Sequence, residues 1–163
     1  MRLVTRFFLL LTMTVVSAAA QSHYGYGFAG VSGIPGRVLY TNWQGTMAHA
    51  GLGGQARIGR GWTAGAEVGV ISAVDNEYGR TTGLLSAGPE FHLPTGGRFD
   101  PFLTGGGSKL GVGGDGWMWF YGGGLNYWFR QRLGIRVEFR DHVWPTEGSS
   151  VRFTGVRAGL TFR

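Results

Sequence analysis

Alternate residues between Leu133 and Trp144 fall into two incompatible sets. One is Leu133, Ile135, Val137, Phe139 and Val143; the other holds Gly134, Arg136, Glu138, Arg140, His142 and Trp144. A period of two with one apolar and one polar side is the mark of a β-strand. The same period recurs along the chain. From Trp117, every second residue reads Trp117, Trp119, Tyr121, Gly123, Leu125, Tyr127, Phe129, with aromatics at both ends and small or aliphatic residues between. Trp62, Ala64, Ala66, Val68 and Val70 alternate with Thr63, Gly65, Glu67 and Gly69, and Leu85, Ala87, Pro89, Phe91 and Leu93 alternate with Ser86, Gly88, Glu90 and His92. The pattern predicts eight strands, at 23–33, 48–58, 62–73, 82–93, 99–111, 117–129, 133–144 and 151–162. It leaves the faces of the first and fifth open, and in the fifth Pro101 lacks the N–H that a ladder uses.

The links between these strands alternate in length. Residues 59–61, 94–98 and 130–132 make short turns, whereas 34–47, 74–81, 112–116 and 145–150 are mostly longer and richer in polar residues. That order describes an up-and-down meander with two unlike ends. Each strand is about as long as the ~9–11 residues a tilted strand needs to cross a bilayer. An even strand number, with short turns at the periplasmic end and longer loops at the outer one, is the plan of bacterial transmembrane barrels. The expected fold is therefore all-β: an eight-stranded antiparallel up-and-down transmembrane β-barrel with both termini periplasmic.

Lipid decides where the charges go. A Lys or Arg on the wall at the bilayer midplane costs ~2–4 kcal/mol, so the charged faces must point inward. The expected lumen network is Arg57, Glu67, Glu90, Arg136, Glu138, Arg140 and Arg157, with Gln55, Asn126, His49, His92 and His142 among them. An eight-stranded barrel has an interior just wide enough for side chains to fill. The layer thus reads as a salt-bridged plug, with glycines such as Gly65 and Gly69 leaving room for long side chains.

The start of the chain changes the picture of where this happens. Arg2 and Arg6 precede an apolar run from Phe7 to Val16, followed by Ser17, Ala18, Ala19 and Ala20. The run is too short to span as a helix, and Ala18-x-Ala20 fits a cleavage site, so residues 1–20 read as a signal peptide and 21–163 as one barrel domain beginning at Gln21. Losing Arg2 and Arg6 lowers the formal charge from +6 to +4. The remaining arginines are dispersed, which excludes a nucleic-acid module. There is no cysteine, so an exported chain must hold without disulfides. The 32 glycines show no G-X-Y period and sit among aromatic and aliphatic residues, which excludes collagen and linker and puts them inside strands.

The signal peptide, the glycine-aromatic strands and the ending "GVRAGLTFR" together resemble the small eight-stranded outer-membrane barrels, the group that includes the transmembrane domain of outer membrane protein A. The resemblance spans the whole mature chain and is one of architecture. It implies an integral barrel of the cell outer membrane in a Gram-negative-type envelope, with a porin-like fold. It also implies contact with outer-membrane lipids, and assembly machinery that reads Leu160 and Phe162 as a terminal signal. Members of the group usually end on the aromatic; here Arg163 follows Phe162.

Candidate chemistry is sparse. Asp141, His142, Glu147, Ser149 and Ser150 would meet near the outer end of the last two strands, and an outer-membrane lipid A acyl hydrolase needs Ser, His and an acid within hydrogen-bonding reach. Alternation points His142 into the lumen, away from any membrane lipid, and Pro-Thr-Glu-Gly-Ser-Ser is ordinary loop chemistry, so the expected chain is not an enzyme. The four histidines lie on different strands without close pairing, so no metal and no cofactor are expected. "GGGSKLG" lacks the order of a phosphate loop. Arg60, Arg98, Arg130 and Arg132 on the short turns could meet anionic headgroups, worth ~1 kcal/mol each, or simply be solvated. The favoured reading is a monomeric, closed barrel with a structural or adhesive role, in which Tyr40, Trp43 and Tyr78 on the outer loops contact an extracellular partner. The rivals are the hydrolase and a secreted lipocalin-like barrel, which predicts an apolar lumen.

Overall fold

A computed structural model describes residues 23–33, 45–74, 81–111, 116–146 and 149–163. They form eight strands: β1 (His23–Gly33), β2 (Thr46–Arg57), β3 (Trp62–Ala73), β4 (Thr81–His92), β5 (Phe99–Leu110), β6 (Gly116–Arg130), β7 (Leu133–Thr146) and β8 (Ser149–Phe162). Each pairs antiparallel with its sequence neighbour, and β8 returns to pair with β1, so the sheet is a closed barrel. Closure leaves no edge, and in lipid each unpaired backbone group would cost several kcal/mol. The boundaries fall within two residues of those read from alternation. The leader 1–20, Gln21, Tyr40, Trp43, Tyr78 and Glu147 lie outside the described residues.

The short links turn tightly. Gly61 and Gly96 take positive φ, at 76° and 67°, a conformation other residues rarely adopt. Between β6 and β7 only Gln131 and Arg132 intervene, and the register shifts between Trp128 and Arg130 to fit that turn.

The two faces of the sheet are chemically opposite. Leu52, Val68, Leu103, Val137, Phe139 and Leu160 stand exposed on the outside, whereas Glu138 inside is 0 % exposed. This inverts the pattern of a soluble ligand-binding barrel. At the short-turn end the wall carries ring pairs, Trp62 with Phe91 at 4.9 Å and Phe99 with Tyr127 at 5.0 Å between centroids. Trp117 and Trp119 stand out at the other end. Such belts seat at membrane interfaces because their rings are amphipathic.

The faces of β1 and β5, open in the sequence, are settled by pairing. Tyr26, Phe28 and Phe102 are buried in the lumen, while Ala29, Val31 and Leu103 are exposed on the wall. Gly25 also faces out, where the Phe162 ring covers it: a Cβ there would lie 2.8 Å from Cζ. The last aromatic thus packs over the seam that closes the barrel. Pro101 is the third residue of β5, and its carbonyl still accepts from the Leu93 N–H at 2.9 Å.

Three storeys of side chains succeed one another along the lumen. Nearest the long loops, Leu84, Met118 and Phe153 pack with Met47, Leu110, Trp144 and Val151. A charged layer lies in the middle. Toward the short turns, Tyr24 stacks on His92 at 5.6 Å and lies 5.8 Å from Trp128.

Candidate functional site: the charged lumen layer

Alternation on β7 sends Arg136, Glu138 and Arg140 to the same face, and the barrel's curvature brings Glu67 from β3, Glu90 from β4 and Arg157 from β8 to meet them. Arg136 donates to both oxygens of Glu90, at 3.0 and 2.6 Å, and to Glu138 Oε2 at 2.8 Å. From Arg140, Nε donates to Glu138 Oε1 at 2.7 Å and Nη1 to Glu67 Oε2 at 2.6 Å. Arg157 donates to Glu67 Oε2 at 2.9 Å and to Glu138 Oε2 at 2.8 Å. Three guanidinium groups and three carboxylates therefore neutralise one another across the lumen. Fork-shaped, bidentate pairs of this kind fix geometry as well as charge.

Each guanidinium also lies against an aromatic ring. Arg136 is 3.8 Å from the Phe102 centroid and 4.5 Å from that of Tyr26; Arg140 is 4.1 Å from Phe120 and Arg157 is 4.2 Å from Phe28. Desolvated cation–π contacts are worth roughly 2 kcal/mol. Tyr26 adds a hydrogen bond to Glu67 at 2.5 Å. These rings were missed by reading alternation; in β1, for example, the His-Tyr-Gly-Tyr-Gly-Phe run does not say which side is wet. The signal that could have found them is glycine: a Cβ on Gly53 would meet the Tyr26 hydroxyl at 2.6 Å, and one on Gly124 would meet Phe102 Cζ at 2.6 Å. Lumen glycines leave room for rings as well as for long cations.

Arg57 does not join the layer. It belongs to the lumen-facing set of β2 but stands at that strand's last residue, exposed at the short-turn mouth, with no acidic partner among the described residues. Glu67 and Glu90 are engaged by other arginines. Gln55 instead accepts from Thr63 at 3.2 Å. His92 lies between Glu90, at 3.1 Å, and Asp100, at 2.8 Å. His49 packs edge-on against Phe28 at 4.9 Å.

Among the described residues no hydrolase site assembles around His142. Its ring is buried in the lumen beside Phe120, and Nε2 has no hydrogen-bond partner among the described residues. Ser149 and Ser150 open β8, where they pair in register with Thr146 and Pro145. Asp141 is turned the other way. On the wall it accepts from the Tyr121 hydroxyl at 2.6 Å, from Thr154 at 2.8 Å and from Arg152 Nε at 3.0 Å. Among the described residues no group of three or more His, Cys, Asp or Glu could hold a metal.

No protein-family model matches the chain, and no curated protein does either. Solved structures do. Neisserial surface protein A aligns with a TM-score of 0.66 at 11% identity, over 86% of this chain and 96% of that one. The N-terminal β-barrel domain of Pseudomonas aeruginosa OprF aligns with a TM-score of 0.55 at 15% identity, over 85% and 97%. A de novo designed transmembrane β-barrel aligns equally well, with a TM-score of 0.55 at 14% identity, over 86% and 92%. A designed barrel among natural ones shows that this fold is not itself a function. The fold is that of the small eight-stranded outer-membrane barrels.

Proposed function

We propose that the protein is a monomeric outer-membrane barrel with a closed lumen and a structural or adhesive role, exported by residues 1–20 and assembled through a terminal signal that includes Leu160 and Phe162. The observation that carries this reading is the neutral, aromatic-faced layer of Glu67, Glu90, Arg136, Glu138, Arg140 and Arg157, which fills the lumen with buried ion pairs. A barrel sealed in this way acts through its surfaces. Its wall meets lipid, and its long loops, with Tyr40, Trp43 and Tyr78, meet the outside partner. The test has two arms. Purified protein in planar bilayers should give no single-channel currents, and deleting the loop 34–47 should abolish capture of the surface partner by intact cells. Steady channel openings by the intact protein would refute the closed lumen; capture unchanged by the deletion would refute the adhesive role of that loop.

A further inference from the structure

The short-turn mouth of the barrel is not filled. Below the charged layer a cavity of about 320 Å³ opens to the short-turn side, at the small end of the range in which proteins hold small ligands. Its floor is closed. His92 joins Glu90 to Asp100, and Asn126 Nδ2 donates to the same Asp100 carboxylate at 3.2 Å, so the acids nearest the cavity already have partners. Its cations do not. Arg57 lines the cavity and has no acidic partner among the described residues. Arg163 lines it too, its guanidinium 4.3 Å from the Trp128 ring and its Nε donating only to the Gln131 carbonyl, at 2.9 Å.

The lining also holds an aromatic reporter: Trp128 is 4 % exposed, and its indole N–H is aimed at the Asp100 carboxylate. The surrounding field favours an anion. Arg60, Arg98, Arg130 and Arg132 are exposed in and beside the turns around this mouth, and cationic rims with low-dielectric walls raise the local concentration of anions.

We propose that this mouth binds a small organic anion from the short-turn side, with its carboxylate or comparable acid group held by Arg57 and Arg163 beside the Trp128 indole. The lumen-facing Tyr24 ring completes the lining and offers a flat apolar body somewhere to rest. Because the cavity lies inside the ring of strands, a bilayer lipid, whose chains must stay on the wall, does not fit it. The site does not depend on the outer loops or on any adhesive role.

The experiment uses the refolded barrel in detergent micelles, with the Trp128 indole resonance assigned by Trp128→Phe. Sodium benzoate is titrated against benzyl alcohol, its neutral analogue. Benzoate should shift the Trp128 indole signal saturably, benzyl alcohol should not, and R57Q should weaken binding at least about tenfold, the loss expected for one charge-assisted hydrogen bond. R60Q, which alters a turn arginine outside the cavity, should change it less than about twofold. Folding of each variant is checked by heat-modifiable gel mobility, and R163Q gives an independent reading if R57Q fails to fold. A linear, unsaturated shift, an equal response to benzyl alcohol, or full affinity in the folded arginine variants would overturn the proposal.

Discussion

Two carboxylates three residues apart on β7 live in different solvents. Glu138 points inward and receives guanidinium groups from Arg136, Arg140 and Arg157. Asp141 points outward and is held by Tyr121, Thr154 and Arg152, whose side chain is 52 % exposed. The inner set ties β7 to β3, β4 and β8 across the lumen, whereas the outer set joins only the neighbours β6, β7 and β8. The same pair chemistry therefore has two consequences. Inside, removing one partner strands others that nothing else can reach. Outside, Arg152 can turn outward along the wall and find water or a headgroup. Asp141 sits between Phe139 and Val143, so the wall ion pair interrupts the apolar face of β7 just short of the aromatic belt at Trp119.

The comparison can be tested by changing one face at a time. The largest effect is expected at the seam rather than at either carboxylate. Phe162→Ala, or removal of Phe162 and Arg163 together, should eliminate most of the folded, heat-modifiable band in outer-membrane fractions, while removal of Arg163 alone leaves it. Equal bands for Phe162→Ala and wild type would sink the terminal signal and the role of the ring over Gly25. Next comes a charge placed on the lipid side of the same strand: Val137→Arg should lower folding free energy by ~2–4 kcal/mol in bilayers. Urea titration in lipid vesicles measures it, and a loss no larger than for Val137→Ala would mean that this face does not meet hydrocarbon.

Inside, Glu138→Gln should cost about 1–3 kcal/mol, less than breaking an isolated buried pair because Glu67 and Glu90 remain to hold the arginines. The unfolding midpoint in detergent reads this directly; an unchanged midpoint removes Glu138 from the stabilising layer. The smallest effect belongs to the wall pair. Arg152→Gln should leave that midpoint at its wild-type value, since its partner keeps hydrogen bonds from Tyr121 and Thr154. A fall as large as that of Glu138→Gln would erase the distinction between the two faces.

Much of this architecture was legible in period-two alternation. On β3, β4, β6 and β7 a polar side and an apolar side differ so sharply that each residue's face follows from its parity. The cost of charge in hydrocarbon then tells which side is the lumen. Strand number, boundaries and the unequal ends followed from the same pattern with the turn residues. Within the charged layer, the sequence determined that Glu67, Glu90, Arg136, Glu138, Arg140 and Arg157 share a face and lie at similar heights.

Only the closed barrel decided who meets whom. Which carboxylate Arg140 engages depends on the distance across the lumen to β3, a strand more than sixty residues away in the chain, and no local rule encodes that chord. Height excluded Arg57 from the layer although its parity was right. The orientation of β1 required its two neighbours, because glycine and aromatic residues alternate there and either face could be apolar; pairing with β2 and β8 placed the rings against the guanidinium groups. The cavity at the short-turn mouth is likewise a product of assembly, enclosed by residues from six strands, two short turns and Arg163. A strand's own sequence sets which way each side chain points, by the geometry of the pleat. What each side chain then touches is set by the curvature and register of the other seven strands.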